Sequence, residues 1–351
     1  MALDVPASAS GAKPPANGAD GGVHEGFGLA RPVADASPMA AEAAGFTQRE
    51  ARGNKVTRVV SPTISVRQRL KEIWLSRELL VYLVRTEIKV KYKNSVLGLV
   101  WSMIAPAMTL AIYFIVFQFI AKNGIPHFVI FLFAGLLLWN LFQVGVQTAT
   151  GVVVNNAGIV KKVSFPREIL ALASIGSALV FFFFQAIVMA IFLIVFRAPP
   201  DWSYFPLLPL ALLAALVLGS GLAIFLSAIN VYLRDTQHLI EVVMTAWFWA
   251  CPIVYSFQSQ VALRLSQHGL TWLYFMNPMT PLVLSFQRAL YAHVFVHSTL
   301  DPKGPAVAEL PLHGFFWYAG LDVGVLAAGV VIFLLALVVF GRLEGNFAEE
   351  L

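Results

Sequence analysis

The fold is decided by the stretch Arg85-Thr-Glu-Ile-Lys89-Val-Lys91-Tyr92-Lys93-Asn-Ser-Val-Leu-Gly98-Leu-Val-Trp101-Ser-Met-Ile-Ala-Pro106. Four cations within nine residues run straight into an uncharged apolar segment. A chain reads this way where it enters a bilayer from its positively charged side. Just upstream, Leu70, Ile73, Trp74, Leu79, Leu80, Leu83 and Val84 recur among Arg67, Arg69, Lys71 and Arg77. That pattern predicts a basic amphipathic helix over 64–95, lying in the membrane interface.

The whole chain agrees with that entry point. Of its 351 residues, 58% are hydrophobic and 12% charged, against about 25% charged in soluble domains. A mean hydropathy of +0.75 excludes a single solvated globule. An all-α polytopic membrane protein follows, because helices satisfy their own backbone hydrogen bonds in lipid. Each span needs roughly 20 apolar residues to cross about 30 Å of hydrocarbon. The uncharged runs predict six, near 99–121, 128–153, 170–196, 206–232, 239–257 and 315–340. The stretch 270–296 holds Asn277-Pro278, Pro281 and Arg288. It is too broken for an ordinary span, and a re-entrant pair of short helices fits it.

Lys89, Lys91, Lys93, Lys161, Lys162, Arg167, Arg234 and Arg342 fall on one side of these spans. Lys122, Arg197, Arg264 and Lys303 fall on the other. The positive-inside rule makes the first side cytoplasmic, with both termini there. Residues 1–60, rich in Ala, Gly, Pro and Ser, read as a disordered cytoplasmic tail. The net charge of +5 then reflects topology and lipid headgroups rather than a nucleic-acid partner. The single cysteine, Cys251, excludes an intrachain disulfide and reads as a small packed hydrophobe.

The motifs of catalysis are missing from the sequence. No Gly is followed directly by Lys, so there is no phosphate-binding loop for ATP, and there is no His-Glu-x-x-His metal motif. The seven His residues are scattered. No catalytic residue, metal site or resident cofactor is therefore expected. Ionisable residues near the spans are few: Glu241, Asp322 and Arg288. Ion-coupled transporters place such groups in mid-membrane. A transporter with neither ATP site nor ion relay draws its energy from a separate ATPase, where ATP and Mg would be bound.

Three sets of residues carry functional readings beside plainer ones. The cytoplasmic loop Asn155 to Glu168, with Ile159, Lys161, Lys162, Phe165, Pro166, Arg167 and Glu168, is either a topology signal or a short helix docked on a cytoplasmic partner. Arg85, Lys89, Lys91, Tyr92 and Lys93 either set topology or bind a diphosphate and headgroups at the channel mouth. Tyr113, Phe117, Trp139, Trp247, Trp249 and Tyr255 either pack against lipid and helices or wall a path along which sugar rings stack.

Ordered motifs add a resemblance. Ile88-Lys89-Val-Lys91-Tyr92-Lys93-Asn-Ser95-Val-Leu97-Gly98-Leu-Val-Trp101 comes first. Phe133-Ala-Gly135-Leu-Leu-Leu-Trp139-Asn-Leu-Phe142 and Asn155-Asn156-Ala-Gly-Ile-Val-Lys161-Lys162-Val-Ser-Phe165-Pro166 follow. Asn230-Val-Tyr232-Leu-Arg234-Asp235, Pro252-Ile253-Val-Tyr255, Met276-Asn277-Pro278-Met279-Thr280 and Glu344-Gly-Asn-Phe347-Ala348-Glu349 complete the set. Over 64–351 the chain resembles the permease subunits of type-2 ABC exporters, in the polysaccharide and polyol-phosphate branch. The tail and Leu233, where many relatives have an aromatic, are departures.

The resemblance implies a homodimer of this chain with two ABC ATPase subunits in a bacterial inner membrane. It makes 64–95 the interface helix, the 155–168 loop the ATPase-coupling element, and 270–296 an outer gate with Asn277, Pro278 and Arg288. It implies a polyprenyl-diphosphate-linked polysaccharide as substrate: O-antigen, capsule-like chain, teichoic acid or galactan. A permease of the same superfamily for a small lipid or drug is the alternative. A membrane-embedded glycosyltransferase with Asp235, and a scaffold without transport, are more distant ones.

Overall fold

A computed structural model describes residues 65–91, 93, 101–122, 125–292, 295–296 and 306–351. The expected tail at 1–60 lies outside the described residues. So do Tyr92 and the chain from 94 to 100. Among the described residues the fold is helical, apart from one antiparallel pair, β1 (Phe295–Val296) with β2 (Val307–Ala308).

The expected single helix over 64–95 is two helices, α1 (Val66–Leu75) and α2 (Arg77–Lys91). Ser65 caps the first, its hydroxyl accepting from the Gln68 N–H at 3.4 Å. Ser76 ends it, leaving helical geometry with φ −92° and ψ 17° while its N–H reaches back to the Glu72 and Ile73 carbonyls. A serine at that position competes for backbone hydrogen bonds and favours such a break.

The first expected span is α3 (Trp101–Phe114), which winds on into a π-helical stretch, Ile115–Ile120. Four long helices match the expected spans at 128–153, 170–196, 206–232 and 315–340. They are α4 (Phe128–Asn155), α6 (Glu168–Val195), α7 (Leu207–Tyr232) and α12 (Phe315–Leu343), with the four-residue α5 (Ala157–Val160) between the first two. Each is long and apolar enough to cross a bilayer.

The fifth expected span departs from its reading. The helix α8 covers only Thr236–Trp249, 14 residues, or about 21 Å of rise. The chain then leaves helical geometry through Ala250 to Ser256. Pro252 supplies the reason, since it has no N–H to continue the ladder. Beyond come a π-helical turn (Phe257–Ala262), α9 (Leu263–Gln267), α10 (Thr271–Phe275) and α11 (Met279–Leu290). The stretch 270–296 thus holds two short helices, split at Met276 to Pro278. The chain ends in a short 3-10 turn and α13 (Phe347–Glu350).

Helix α4 is the centre of the fold. Its most apolar window is 78% buried, against 28% for α6 and for α12. It is enclosed by α6, α7, α8 and α11, so it is apolar on all sides, while α6 and α12 keep lipid-ready outer faces. The tightest pair is α7 with α12. A Cβ at Gly221 would lie 2.8 Å from the Phe333 nitrogen, and one at Gly329 3.1 Å from the Leu218 nitrogen. Reciprocal glycines bring two backbones into direct contact, as small residues do between helices in lipid.

Side-chain bonds tie the loops into two ends. At one end Arg69 meets Glu168 and Glu344, and the Tyr232 hydroxyl donates to the Leu343 carbonyl at 2.7 Å. At the other, Arg288 pairs with Asp201 at 2.8 Å, and the Tyr291 hydroxyl donates to the Pro126 carbonyl at 2.9 Å. The first end carries Lys161, Lys162, Arg167, Arg234 and Arg342.

Candidate functional site

The cationic end is built on the turn between α4 and α6. After Asn155 the chain makes α5, and Val160 is buried there as its anchor. The residues around that anchor point out. Ile159 and Val163 are 46% and 54% exposed, and Lys161 and Lys162 are exposed between them. Two apolar and two cationic side chains thus form a small surface with no partner in the described chain. Leu233, in the turn between α7 and α8, is 64% exposed. That turn lies close by: a Cβ at Gly151 would fall 2.8 Å from Gln237 Oε1.

The rest of the loop turns inward. Phe165 packs against the core. Arg167 donates to the Glu344 carbonyl at 2.7 Å, and its guanidinium sits over the Phe347 ring at 5.8 Å. Glu168 is buried and bonded to Arg69, which also reaches Glu344 at 3.1 Å. The sequence reading put Arg167 and Glu168 with the docking residues. In the structure they fasten the loop to α1 and to the C-terminal segment. Gly341 makes room for this, since a Cβ there would meet the Arg69 guanidinium at 2.7 Å. Breaking a buried ion pair from one side costs about 3–5 kcal/mol, because a buried charge loses its partner.

Helix α2 lies along α6. Val84 fills the space above Gly176, where a Cβ would clash at 2.7 Å. Arg85, Lys89, Lys91 and Lys93 are exposed, and the Lys91 ammonium lies 4.8 Å from the centre of the Phe181 ring. Glu87 faces Ser177 and Ser174, and burial raises its carboxyl above the usual carboxylate range.

The aromatic set forms one connected cluster. Tyr113 stacks on Phe248 at 5.6 Å, and Phe117 contacts Trp249 at 6.4 Å. Trp139 meets Trp247 at 6.4 Å and Phe248 at 5.8 Å. Within it the roles divide. Trp139 is 1% exposed and donates to Gln143 at 2.7 Å, so it supports its neighbours from inside, whereas Trp249 is 50% exposed. Tyr255 joins the cluster through the Trp249 carbonyl, to which its hydroxyl donates at 3.1 Å, and it shares a 2.7 Å hydrogen bond with Tyr274.

Asn277 is a hub. Its Oδ1 accepts from the Trp247 indole at 2.7 Å and from the Met279 N–H at 3.1 Å. Its amide donates to the Ala250 carbonyl at 3.2 Å. The broken end of α8 is thereby tied to the turn between α10 and α11, with Pro278 opening α11. Arg288 pairs with Asp201 and stacks over Tyr204 at 3.7 Å. Sequence reasoning missed Arg69, Glu344 and Gly341 as a unit. Gly341, three residues before Glu344, shows its part only in the fold, against the Arg69 guanidinium.

Residues 78–291 match the ABC-2 type transporter family. The chain belongs to the ABC-2 type transporter family. As an ABC-2 permease it is a multi-pass membrane component that works with an ABC ATPase subunit. Among its relatives is the O-antigen export system permease protein RfbA of Myxococcus xanthus. It is 30% identical over 227 residues, covering 64% of this chain and 84% of the relative. An O-antigen export system permease protein RfbA of Klebsiella pneumoniae is 26% identical over 274 residues, covering 78% of this permease and 95% of the relative.

Proposed function

We propose that this permease is the transmembrane half of an ATP-driven exporter for polyprenyl-diphosphate-linked polysaccharide. It carries that substrate from the cytoplasmic to the outer face of a bacterial inner membrane. The observation that carries the reading is similarity to O-antigen export permeases over 84% and 95% of their length. Two copies pair with two ATPase subunits, which bind ATP and Mg. Each copy crosses the membrane six times, with α8 and the segment after it completing the fifth crossing. The helices α10 and α11 form a re-entrant outer gate around Asn277, Pro278 and Arg288, and both termini face the cytoplasm.

In this mechanism the ATPase docks on Ile159, Lys161, Lys162 and Val163. Its movement on binding ATP reaches the bundle through Phe165 and Pro166. Arg167 and Glu168 pass it to α1 and the C-terminal segment. Arg85, Lys89, Lys91, Tyr92 and Lys93 hold the diphosphate and headgroups at the cytoplasmic mouth, each cation contributing about 1 kcal/mol near an anionic surface. Tyr113, Phe117, Trp247, Trp249 and Tyr255 present ring faces to the apolar C–H faces of sugars, and Trp139 backs them. The test is ATP hydrolysis by the purified complex in nanodiscs. Lipid-linked glycan should stimulate it more than polyprenyl phosphate alone. Equal stimulation by short-chain lipids or drug-like amphiphiles would favour a small-substrate permease.

A further inference from the structure

The end of the bundle opposite the cationic one carries a cleft that none of the roles above uses. It has a volume of about 370 Å³, at the small end of the roughly 300–1,000 Å³ of ligand clefts. It is built by the π-helical turn at Phe257–Ala262, α9, α10, and the chain from Pro311 into the start of α12. Its apolar wall is a chain of rings. Phe257 meets Phe275 at 5.2 Å, and Phe275 meets Trp317 edge to face at 5.3 Å and 89°. The His313 imidazole lies flat on Trp317 at 4.2 Å and 24°. Gln258 and Thr271 add an amide and a hydroxyl to the lining.

This mixture has a chemical meaning. None of the described lining residues is Lys, Arg, Asp or Glu, so none of them would pair with a phosphate headgroup. A purely apolar ligand would leave the amide, hydroxyl and imidazole without partners, at a cost. A neutral sugar matches both walls. Its C–H face lies on aromatic rings, and its hydroxyls both donate and accept. The wall is also pre-formed: Phe257 is buried and stacked on Tyr274 at 4.9 Å, while the Tyr204 hydroxyl holds the His313 carbonyl at 3.2 Å. Little ordering remains to oppose binding.

We propose that this cleft is an exit-side subsite for one or two neutral sugar residues of the exported chain, with Trp317 as the stacking platform. The proposal rests on the polysaccharide reading. In it the polymer emerging past α10 and α11 is held at the outer surface, which disfavours its slipping back between ATP cycles.

The probe is the host's own surface glycan, freed of lipid by mild acid and followed by ligand-detected NMR with the intact complex in nanodiscs. Trp317→Ala should weaken binding about tenfold, the loss of one aromatic stacking contact. Trp317→Phe should restore most of it. Trp272→Ala should change nothing, because Trp272, 61% exposed on the same helix as Phe275, lies outside the cleft. A thermal unfolding profile of Trp317→Ala that matches wild type certifies its fold. Equal binding by wild type and Trp317→Ala overturns the proposal, and so does an equal loss in Trp272→Ala, the behaviour of an interfacial aromatic belt. If the lipid-linked glycan fails to stimulate the wild-type ATPase, the polysaccharide reading falls first and the subsite with it.

Discussion

Arg69 does more for this molecule than its surroundings in sequence suggest. It is 7% exposed, yet α1 leaves Trp74 and Leu75 70% and 65% exposed. A helix that hides an arginine and shows a tryptophan is arranged for lipid on one side and a buried polar contact on the other. Arg69→Ala should destabilise the chain by about 3–5 kcal/mol, since Glu168 is left buried without its cation. Glu168→Gln should cost less, because a neutral amide still accepts from the guanidinium. Thermal unfolding in detergent orders the two. At Asn277, substitution by Ala removes the acceptor of the Trp247 indole and should cost about 1–3 kcal/mol. Intrinsic tryptophan fluorescence would report it as a shift in Trp247 emission. Arg69 is not legible locally, because in α1 it reads like Lys71. Its partners lie 99 and 275 positions away, and only the packing of α1 beside Gly341 brings them together.

Among the elements, the four long helices are readable from sequence because their apolar runs, interrupted only by Asp322 in α12, are as long as a bilayer requires. The end of α8 is not. Apolar residues continue from Trp249 to Tyr255, so hydropathy predicts a span, while Pro252 and the hydrogen bonds of Asn277 stop the helix at Trp249. The break at Ser76 hides for a similar reason, because the amphipathic pattern continues across it. The contact of α2 with α6 should depend on pH. Glu87 titrates higher in the fold than its ordinary value, so its protonation favours the folded contact, and that contribution fades as pH rises through its raised pKa. Wild type should therefore lose more thermal stability between pH 5 and pH 8 than Glu87→Gln does. Identical pH dependence in the two would reject this. Between α7 and α12, Gly221→Leu should prevent close packing altogether, because the obstacle is the Phe333 backbone. Loss of folded protein on size exclusion checks it.

At the scale of the whole molecule, one end of the bundle exposes Ile159, Lys161, Lys162 and Val163, and the other is tied by Arg288, Tyr291 and Asn277. The division between exposed Ile159, Lys161, Lys162 and Val163 and the inward Arg167 and Glu168 suits an element that is pushed from outside and anchored within. Reversing the charges of Lys161 and Lys162 together with Pro166→Ala should leave ATP hydrolysis in place while export falls at least tenfold. Unaltered export would sink the coupling role. The most direct test of the account is depletion of this permease in its host, followed by extraction of polyprenyl-linked glycans and labelling of surface polymer. The expected result is lipid-linked polysaccharide accumulating on the cytoplasmic face while the surface polymer disappears. Undiminished surface polymer, with no lipid-linked glycan retained inside, would contradict it.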